Sequence, residues 1–317
     1  MNRVLVAVPT YNPEGHDHYD IWKMVIDGLV KQRKEGLEVD IVVCDNVSAK
    51  VGRDLLRKWQ KEIPSLYLVF TEQRYPMNTC INHAWLLMGG NYDYYSYVGS
   101  DVIHTNPEGF RTLIREMKQL PDCAVMSCQV DIDMNGECRE LIKFNPDLSA
   151  TPLKITQAVN GHFYLYTKEF IDAYDGKKID VLWGHRLEGF VSYQCAAIRK
   201  REYISHKIML CHWRGGVFNE IGNERSDFSS YDRPYETYGT KEHFLDVITE
   251  GTNVGIGFEE LYQRVGRPVP ETRLHDPSVY GEDGFPKDDT LYHWIKKNLF
   301  LTKEQLDYDK IKYEFCG

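Results

Sequence analysis

Long apolar segments are absent from this 317-residue sequence. A helix that crosses a bilayer needs about 18 or more consecutive apolar residues, and no stretch of the chain approaches that length. The first residues, MNRVLVAVPTYN, form a short strand-like run where a secretory signal would need a basic start, a longer apolar stretch and a cleavage site. We therefore expect a protein without a transmembrane segment, located in the cytoplasm.

Positive charge is in deficit. The chain has 38 Lys and Arg against 47 Asp and Glu, a net charge of −9, and residues 216–317 alone contain 12 basic and 20 acidic residues. An acidic segment repels phosphate groups, so nucleic acid is not the expected partner. One small basic cluster is either a grip for a single anionic ligand or a set of solvated surface charges, and we favour surface charges. The cluster consists of Arg199, Lys200, Arg201 and Lys207.

Metal-binding and disulfide spacings of cysteine are missing as well. The eight cysteines have no paired CxxC or Cys/His spacing. In a chain of this length without a secretory signal, we expect reduced thiols that are mostly buried. There is also no internal repeat, and no glycine-rich phosphate loop with a basic residue follows the first strand. The missing loop disfavours a nucleotidyltransferase.

The residues that are present predict an α/β fold. Hydrophobic residues make up 42% of the chain and charged residues 27%, which is typical of globular proteins. Apolar runs alternate with segments of helical periodicity, and this alternation predicts a mostly parallel central sheet flanked by helices. The predicted strands are 3–8, 39–44, 66–70, 94–98, 123–130, 161–166 and 203–210. The predicted helices are 19–35, 51–62, 78–88, 107–118, 187–201, 241–249 and 290–298.

The pattern changes near residue 216 and predicts two parts of the chain. Residues 1–216 form the α/β part, whose strand ends carry the candidate site. Residues 217–317 are acidic and have helical patches with polar connections. We expect this second part to be a mainly helical C-terminal extension that packs on the first.

Polar residues follow three of the predicted strands. They are Pro9-Thr10-Tyr11-Asn12, Asp45-Asn46 and Gly99-Ser100-Asp101. The carboxyl ends of parallel strands meet at one edge of a sheet, where a carboxylate beside exposed backbone N–H groups can hold a base, a ribose or a metal. For any single strand end, a helix cap or a turn is the alternative. The three together indicate a binding site.

Six motifs follow one another along residues 3–216. They are VAVPTYNP, VVCDNVSAK, MNTCINHAW, YVGSDVIHTNPEGF, LEGFVSYQCAAIRK and MLCHWRGG. As an ordered set they resemble the motifs of the GT-A-fold nucleotide-sugar glycosyltransferases, especially glycosyltransferase family 2. In that family, the motifs after the first correspond to an acidic strand end, an Asn-containing helix start, a metal motif, a base motif and a distal histidine.

The resemblance implies a GT-A, Rossmann-like fold and transfer of a sugar from a nucleotide-diphosphate sugar to an acceptor hydroxyl, with inversion. A UDP-sugar is the favoured donor and a GDP-sugar the second option. Asp101 and His212 would hold Mn²⁺ or Mg²⁺, and Glu188 would be the catalytic base. The implied donor-binding residues are Pro9, Thr10, Tyr11, Asn12, Asp45, Asn46, Arg74, Asn78, Asn82, Ser100 and Arg214.

Acceptor-binding candidates lie in two polar insertions that carry aromatic, imidazole and amide groups. Aromatic faces stack on sugar rings, and His and Asn bond to hydroxyls. The candidates are Asn160, His162, Trp183 and His185. Core packing is the alternative for Trp183, helix capping for Asn78 and Asn82, and a surface ion pair for Arg214.

Two positions depart from the family pattern. Gly99 replaces the first acid of the metal motif, and Gly189 follows Glu188 where the family has an Asp base. The first departure leaves a single carboxylate for a metal, and the second leaves Glu188 to accept the acceptor's proton. Both keep open the alternative of a catalytically inactive nucleotide-sugar or glycan-binding protein.

Overall fold

The computed structural model describes most of the chain. The described residues are 1–12, 14–15, 19–73, 75, 77–134, 137–139, 147–153, 162–178, 187–213, 273–303 and 306–317. The strands are β1 (Asn2–Thr10), β2 (Leu37–Asp45), β3 (Leu66–Thr71), β4 (Tyr94–Val98), β5 (Val102–Ile103), β6 (Cys123–Met134), β7 (Glu137–Arg139), β8 (Thr151–Pro152), β9 (Phe163–Thr167), β10 (Arg201–Trp213) and β11 (Tyr313–Cys316). The helices are α1 (Tyr19–Val30), α2 (Lys50–Glu62), α3 (Met77–Met88), α4 (Gly109–Gln119), α5 (Lys168–Ala173), α6 (Leu187–Ala197) and α7 (Thr290–Asn298).

The strands form one mixed sheet whose central part is parallel. Its order is β11-β3-β2-β1-β4-β9-β6-β10-β5. Strands β3, β2, β1 and β4 pair in parallel, whereas β9 and β11 run antiparallel to their neighbours. The chain builds outward from β1 to β3 and then returns to place β4 on the other side of β1. Open α/β sheets bind ligands at the carboxyl ends of the strands at such a reversal, so the edge beside β1 and β4 is the place for a site.

Helices cover both faces of the sheet, which confirms the predicted α/β class. In β1, Val4, Val6 and Val8 pack into the core that contains α1, α2 and α4. The alternate residues Leu5 and Ala7 pack into the core that contains α3, α5, α6 and α7. A strand buried on both faces reads as a continuous apolar run, and this explains the sequence VLVAV.

The C-terminal residues add both a helix and a strand to the fold. Helix α7 buries Leu291 and Ile295 in the core beside α3. Strand β11, which was not predicted, extends the sheet by pairing Phe315 with Val69 of β3. The predicted helix at 241–249 lies outside the described residues. The division of the chain at residue 216 stays a prediction.

The basic cluster predicted from sequence is neutralised by acidic neighbours. Each of its four side chains has an acidic partner within ion-pair distance, so the structure favours surface charges over a grip for an anion. The pairs, with their N–O distances, are Arg199–Asp283 (3.3 Å), Lys200–Glu169 (2.9 Å), Arg201–Asp122 (3.1 Å) and Lys207–Glu116 (3.7 Å).

Most of the described cysteines lie inside the protein. Cys44, Cys80, Cys123, Cys128 and Cys195 are buried, as predicted. Burial raises the pKa of Cys123 to about 12, so this thiol stays protonated. Among the described helices, none combines the length and the apolar character that crossing a membrane requires.

His104 is a buried histidine where α1 packs against the loop after β5. It is 2% exposed, and in the described part of the chain neither ring nitrogen has a hydrogen-bond partner. Its ring packs on Phe110 and Phe163, with centroids 5.1 and 5.2 Å away. Burial lowers the pKa of His104 to about 3, so the folded protein holds the ring neutral. Its contribution to stability is therefore complete above about pH 6.5 and is lost as the pH falls from there towards the folded-state pKa.

We expect His104→Phe to make the protein less sensitive to acid. The variant keeps a ring in the core and removes a group that must bind a proton on unfolding, so its loss of stability between pH 7 and pH 5 should be about 2 kcal/mol smaller than that of the wild type. Urea unfolding at the two pH values measures the difference. The exposed His293 provides the control, since His293→Phe should keep the wild-type dependence. Equal pH dependence in all three proteins would contradict the prediction.

Candidate active site

Hydrogen bonds tie the carboxyl ends of β1 and β2 together. The Thr10 hydroxyl donates to Oδ2 of Asp45 (3.2 Å), and the Asn46 backbone N–H donates to the Thr10 carbonyl (2.8 Å). The Asn12 backbone N–H donates to the hydroxyl of Ser48 at 2.9 Å. The first two predicted strand ends therefore meet at one edge of the sheet, as parallel pairing requires.

Asp45 is a fully buried carboxylate with a cationic partner. Nε of Arg53 donates to Oδ1 of Asp45 at 2.7 Å, and the backbone N–H of Ser48 donates to the same oxygen at 3.1 Å. A buried charge is costly without such partners. Arg53 also lies over the ring of Phe70, with 5.3 Å from its guanidinium carbon to the ring centroid. The site thus has a hydrogen-bond acceptor in a fixed position, the Asp45 carboxylate. Beside it lies the Arg53 guanidinium, which was not predicted from the sequence.

Asn46 attaches the loop after β3 to the end of β2. Its Nδ2 donates to the carbonyl of Tyr75 at 2.6 Å, and its Oδ1 accepts the backbone N–H of Tyr75 at 2.8 Å. Both ends of the amide are used by the chain. In this structure Asn46 therefore holds a loop in place, while its predicted contact with the donor stays a prediction.

Asn12 and Asn78 are fully buried amides at this edge. Asn12 follows β1, and Asn78 lies in the first turn of α3; both are 0% exposed. In the described part of the chain, neither the oxygen nor the nitrogen of either amide has a hydrogen-bond partner. Buried amides in native proteins nearly always have partners, so both amides have hydrogen-bonding groups that the described part of the chain does not use. The donor-binding role of both residues stays a prediction.

Asn82, also predicted to bind the donor, contacts the chain itself. Its Nδ2 donates to the carbonyl of Lys178 at 2.9 Å, and its Oδ1 accepts the backbone N–H of Lys178 at 2.8 Å. This contact places the Lys178 ammonium 4.4 Å from the centroid of the Tyr97 ring, a cation–π arrangement near the end of β4. Lys178 is 1% exposed. Its burial was not predictable, because lysine in a polar turn is normally exposed.

Three strand ends bring together Asp101, His162 and His212. Oδ2 of Asp101 lies 3.1 Å from Nε2 of His212. The ring of His162 stacks on that of His212, with centroids 3.9 Å apart and an angle of 29° between the planes. The predicted metal pair is therefore adjacent in the structure. His162, predicted to bind the acceptor, lies directly against the pair.

Gly99 leaves the space that the Asp101 carboxylate occupies. A Cβ added at position 99 would lie 2.9 Å from Oδ1 of Asp101 and 3.2 Å from Cγ2 of Val102. The first distance is shorter than real Cβ contacts, so a side chain at 99 would require the Asp101 carboxylate to turn away. Glycine at this position leaves room for that carboxylate.

Asp101 and His212 fit a divalent cation that takes most of its ligands from elsewhere. Among the described residues, no group of three or more His, Cys, Asp or Glu is placed to hold a metal ion. Mn²⁺ and Mg²⁺ accept carboxylate and imidazole ligands, and beside a diphosphate they take the remaining oxygens from phosphate and water. Asp101 is 34% exposed at its side chain and His212 only 7%. A two-ligand site open on the Asp101 side suits such a cation.

The remaining predicted residues divide into those that the structure describes and those that it does not. Pro9 pairs opposite Cys44, whereas Tyr11 and Ser100 are half-buried beside Asn12 and Asp101. Glu188 lies in the first turn of α6, and its side chain is outside the description. Five candidates lie outside the described residues, and their roles stay predictions. They are Arg74, Asn160, Trp183, His185 and Arg214.

Comparison with known proteins identifies the fold. No protein-family model matches the sequence, and no curated protein matches it either. Solved structures with the same fold include TarS from S. aureus, at 14% identity and a TM-score of 0.52, covering 84% of this chain and 42% of TarS. The fragment of TarS comprising residues 1–349 matches at 14% identity and a TM-score of 0.52, over 89% of this chain and 77% of the fragment.

A third structure with this fold was solved with ligands. Mannosyltransferase PcManGT from Pyrobaculum calidifontis, in complex with GDP-Man and Mn²⁺, matches at 15% identity and a TM-score of 0.50, covering 87% of this chain and 71% of that one. Identities this low show the fold alone. The chain therefore has a GT-A-like glycosyltransferase fold, as the motifs predicted.

Proposed function

We propose that this protein is a glycosyltransferase that moves a sugar from a nucleotide-diphosphate sugar to an acceptor hydroxyl. One observation carries the proposal: the Asp101–His212 pair stands at the carboxyl edge of a sheet with a glycosyltransferase fold, at the end where the strand order reverses. Ligands of such sheets bind at this edge. Membership of glycosyltransferase family 2 is part of the proposal and rests on the motifs.

The donor nucleotide would bind beside β1 and β2. Asn12 and Asn78 offer buried amide groups that the chain leaves without partners in its described part, and Asp45 offers a fixed carboxylate. Amides and carboxylates recognise the polar edge of a base and the hydroxyls of a ribose. A UDP-sugar is the donor favoured from the sequence, and the GDP-Man complex of the mannosyltransferase supports GDP as the second option.

Asp101 and His212 would hold Mn²⁺ or Mg²⁺ against the diphosphate. When bound, such a cation neutralises the charge that grows on the departing nucleoside diphosphate. The Mn²⁺ present in the mannosyltransferase complex supports this assignment. Asp101 contributes the negative charge, and the buried His212 contributes a nitrogen with a fixed position.

Transfer would proceed by direct displacement with inversion. The acceptor oxygen forms a bond to the anomeric carbon while the bond to the diphosphate oxygen breaks, and the acceptor's proton passes to a base. Glu188 is the proposed base because it occupies the motif position at the start of α6 and Gly189 replaces the neighbouring Asp. His162, Asn160, Trp183 and His185 remain the proposed acceptor-binding residues.

A nucleotide-sugar or glycan-binding protein without catalysis is the second candidate. The observation that favours it is glycine at positions 99 and 189, which leaves one carboxylate for the metal and removes the acid beside Glu188. An inactive nucleotide-sugar-binding protein would also bind the donor, whereas product formation is specific to the enzyme. An assay for sugar transfer or donor hydrolysis by the donor-saturated protein therefore separates them.

Thermal stability against a panel of nucleotide sugars tests the proposal. UDP-, GDP-, CMP- and dTDP-sugars are each added with and without Mn²⁺. A donor at a hundred times its dissociation constant stabilises the folded state by about 2.7 kcal/mol, which is a rise in melting temperature of about 5 °C. We expect one nucleotide to give this rise only with Mn²⁺. Mn²⁺ alone and the matching nucleoside without phosphate are the controls, and no shift across the panel would contradict the proposal.

A further inference from the structure

His212 lacks the contact that normally orients a metal-binding histidine. Such a histidine usually donates its second ring N–H to a carboxylate, a carbonyl or water, and that hydrogen bond fixes the plane of the ring. Nδ1 of His212 is buried and has no hydrogen-bond partner in the described part of the chain. Nε2 is the atom that lies 3.1 Å from Asp101. Nε2 and Asp101 are at hydrogen-bond distance in this structure, and a bound cation would replace that contact, so the ring would then need another contact to hold it.

His162 makes that contact through the face of its ring. The two imidazoles are 3.9 Å apart between centroids and 29° from parallel, so His162 covers one face of His212. His212 is 5% exposed. Rotation about the Cβ–Cγ bond would turn the His212 ring into a flat ring packed against its face, so the neighbour opposes that rotation. Stacked pairs are also favourable in offset geometry. The direction in which Nε2 of His212 points towards Asp101 thus depends on His162.

Backbone pairing determines the position of His162. Strand β9 runs antiparallel to β4, so the residue that precedes β9 lies beside the residue that follows β4. The Gly99 backbone N–H donates to the His162 carbonyl at 2.8 Å. A Cβ at Gly99 would lie 2.9 Å from Oδ1 of Asp101, so glycine leaves room for that carboxylate beside His212. The backbone hydrogen bond between Gly99 and His162 keeps His162 on the same side of the sheet edge.

We propose that His162 is a positioning residue that holds His212 in the orientation needed to bind the divalent cation with Asp101. Stacking of His162 on His212 takes the place of the hydrogen bond that Nδ1 of His212 lacks in the described part of the chain. The inference rests on the proposed function, because it requires a cation at Asp101 and His212. It adds a second role to the acceptor contact that is proposed for His162 from the sequence.

Mn²⁺ affinity in a series of His162 variants tests the proposal. Mn²⁺ is titrated with UDP present and, in a parallel series, with GDP, and binding is followed by the loss of the Mn²⁺ electron paramagnetic resonance signal relative to protein-free solutions. His162→Leu removes the flat ring at similar volume and should weaken binding about ten- to a hundredfold. His162→Phe keeps a flat ring without nitrogen and should stay within about threefold of the wild type.

Several outcomes would overturn the proposal. Wild-type affinity in His162→Leu would show that the stack is dispensable. Equal loss in His162→Phe and His162→Leu would show that a nitrogen of His162 acts directly, as a ligand rather than as a positioning group. Exposed His293, whose ring contacts Tyr292, supplies the control variant His293→Leu, which should bind Mn²⁺ as the wild type does. If His162→Leu does not fold, His162→Gln replaces it as the variant without a ring.

Asp101→Asn separates failure of this inference from failure of the proposed function. If Asp101→Asn abolishes Mn²⁺ binding and His162→Leu does not weaken it, the metal site stands and only the positioning role is wrong. If Asp101→Asn binds Mn²⁺ like the wild type, or the wild type binds none with either nucleotide, the metal site itself is wrong and the positioning role falls with it.

Discussion

Asp101→Asn is expected to lower the rate of sugar transfer by about a hundredfold or more and to remove the Mn²⁺-dependent part of donor binding. The substitution keeps the shape of the side chain and removes its negative charge. Asp101 is the only carboxylate beside His212 in the described part of the site. A metal contributes several kcal/mol to stabilising a charged leaving group, and each 1.4 kcal/mol is about a factor of ten in rate. The side chain is 34% exposed, so the fold should tolerate the change.

Three measurements on the same variants make this prediction specific. Transfer, Mn²⁺-dependent thermal shift and melting temperature are compared for Asp101→Asn, Glu188→Gln and Asp175→Asn. Glu188→Gln should lose transfer but keep the Mn²⁺-dependent shift, because its proposed role is to accept the acceptor's proton. Asp175 pairs with Lys296 on the surface, and Asp175→Asn should keep both properties. Full transfer by Asp101→Asn would rule out its proposed role, and the same result for Glu188→Gln would rule out that residue as the base.

Gly28→Ala is expected to destabilise the protein by about 2–3 kcal/mol. Gly28 lies in α1, and a Cβ there would be 2.7 Å from the carbonyl oxygen of His104 and 3.2 Å from its backbone nitrogen. Both are main-chain atoms, which cannot rotate away as a side chain can. The whole helix would have to shift from the sheet. Alanine favours a helix by about 1 kcal/mol over glycine, so a net loss of stability shows that the packing conflict outweighs propensity.

Gly90→Ala is the matched control for this substitution. A Cβ at Gly90 meets nothing within 4 Å, and the residue is exposed after α3. We expect a change within about 0.5 kcal/mol. Urea unfolding of the two variants and the wild type gives the free energies of unfolding directly. Equal stability of Gly28→Ala and Gly90→Ala would mean that α1 is not held as closely as the structure shows.

The regular elements were largely predictable, because their signals are local. The run of residues 4–8 and the helical spacing of Ile21, Val25 and Leu29 predicted β1 and α1, and the structure has both with these residues buried. Strand β11 was missed because Tyr313, Glu314 and Phe315 are exposed at the sheet edge, so no buried face marks the strand in the sequence. Its pairing with β3 depends on a contact far away in the chain.

The candidate site was predictable in its composition but less so in its arrangement. Asp45, Asp101 and His212 were identified from motifs, and the structure places Asp101 beside His212. The stacking of His162 on His212 was not foreseen. It requires β9 to be antiparallel, which brings the start of that strand, rather than its end, to the carboxyl edge of the parallel strands.

The four asparagines of the candidate site also show that the sequence does not reveal which side chains are already hydrogen-bonded to the chain. Asn12, Asn46, Asn78 and Asn82 were all expected to contact the donor, yet they differ in the structure. Asn46 and Asn82 bond to the chain, whereas Asn12 and Asn78 have no partner among the described residues. An amide has the same chemistry in every sequence context, so only its three-dimensional neighbours tell whether its donors and acceptors are already used.

The α/β class, the order of the main elements and the residue types of the site follow from local pattern and chemical identity, and these were readable in the sequence. The pairing of Asp101 with His212, the stacking of His162, the clearance at Gly99 and the burial of Lys178 follow from which strands become neighbours. Neighbouring strands are chosen by the burial of the whole sheet between two layers of helices. That choice is a global property of the chain, and a local stretch of residues does not contain it.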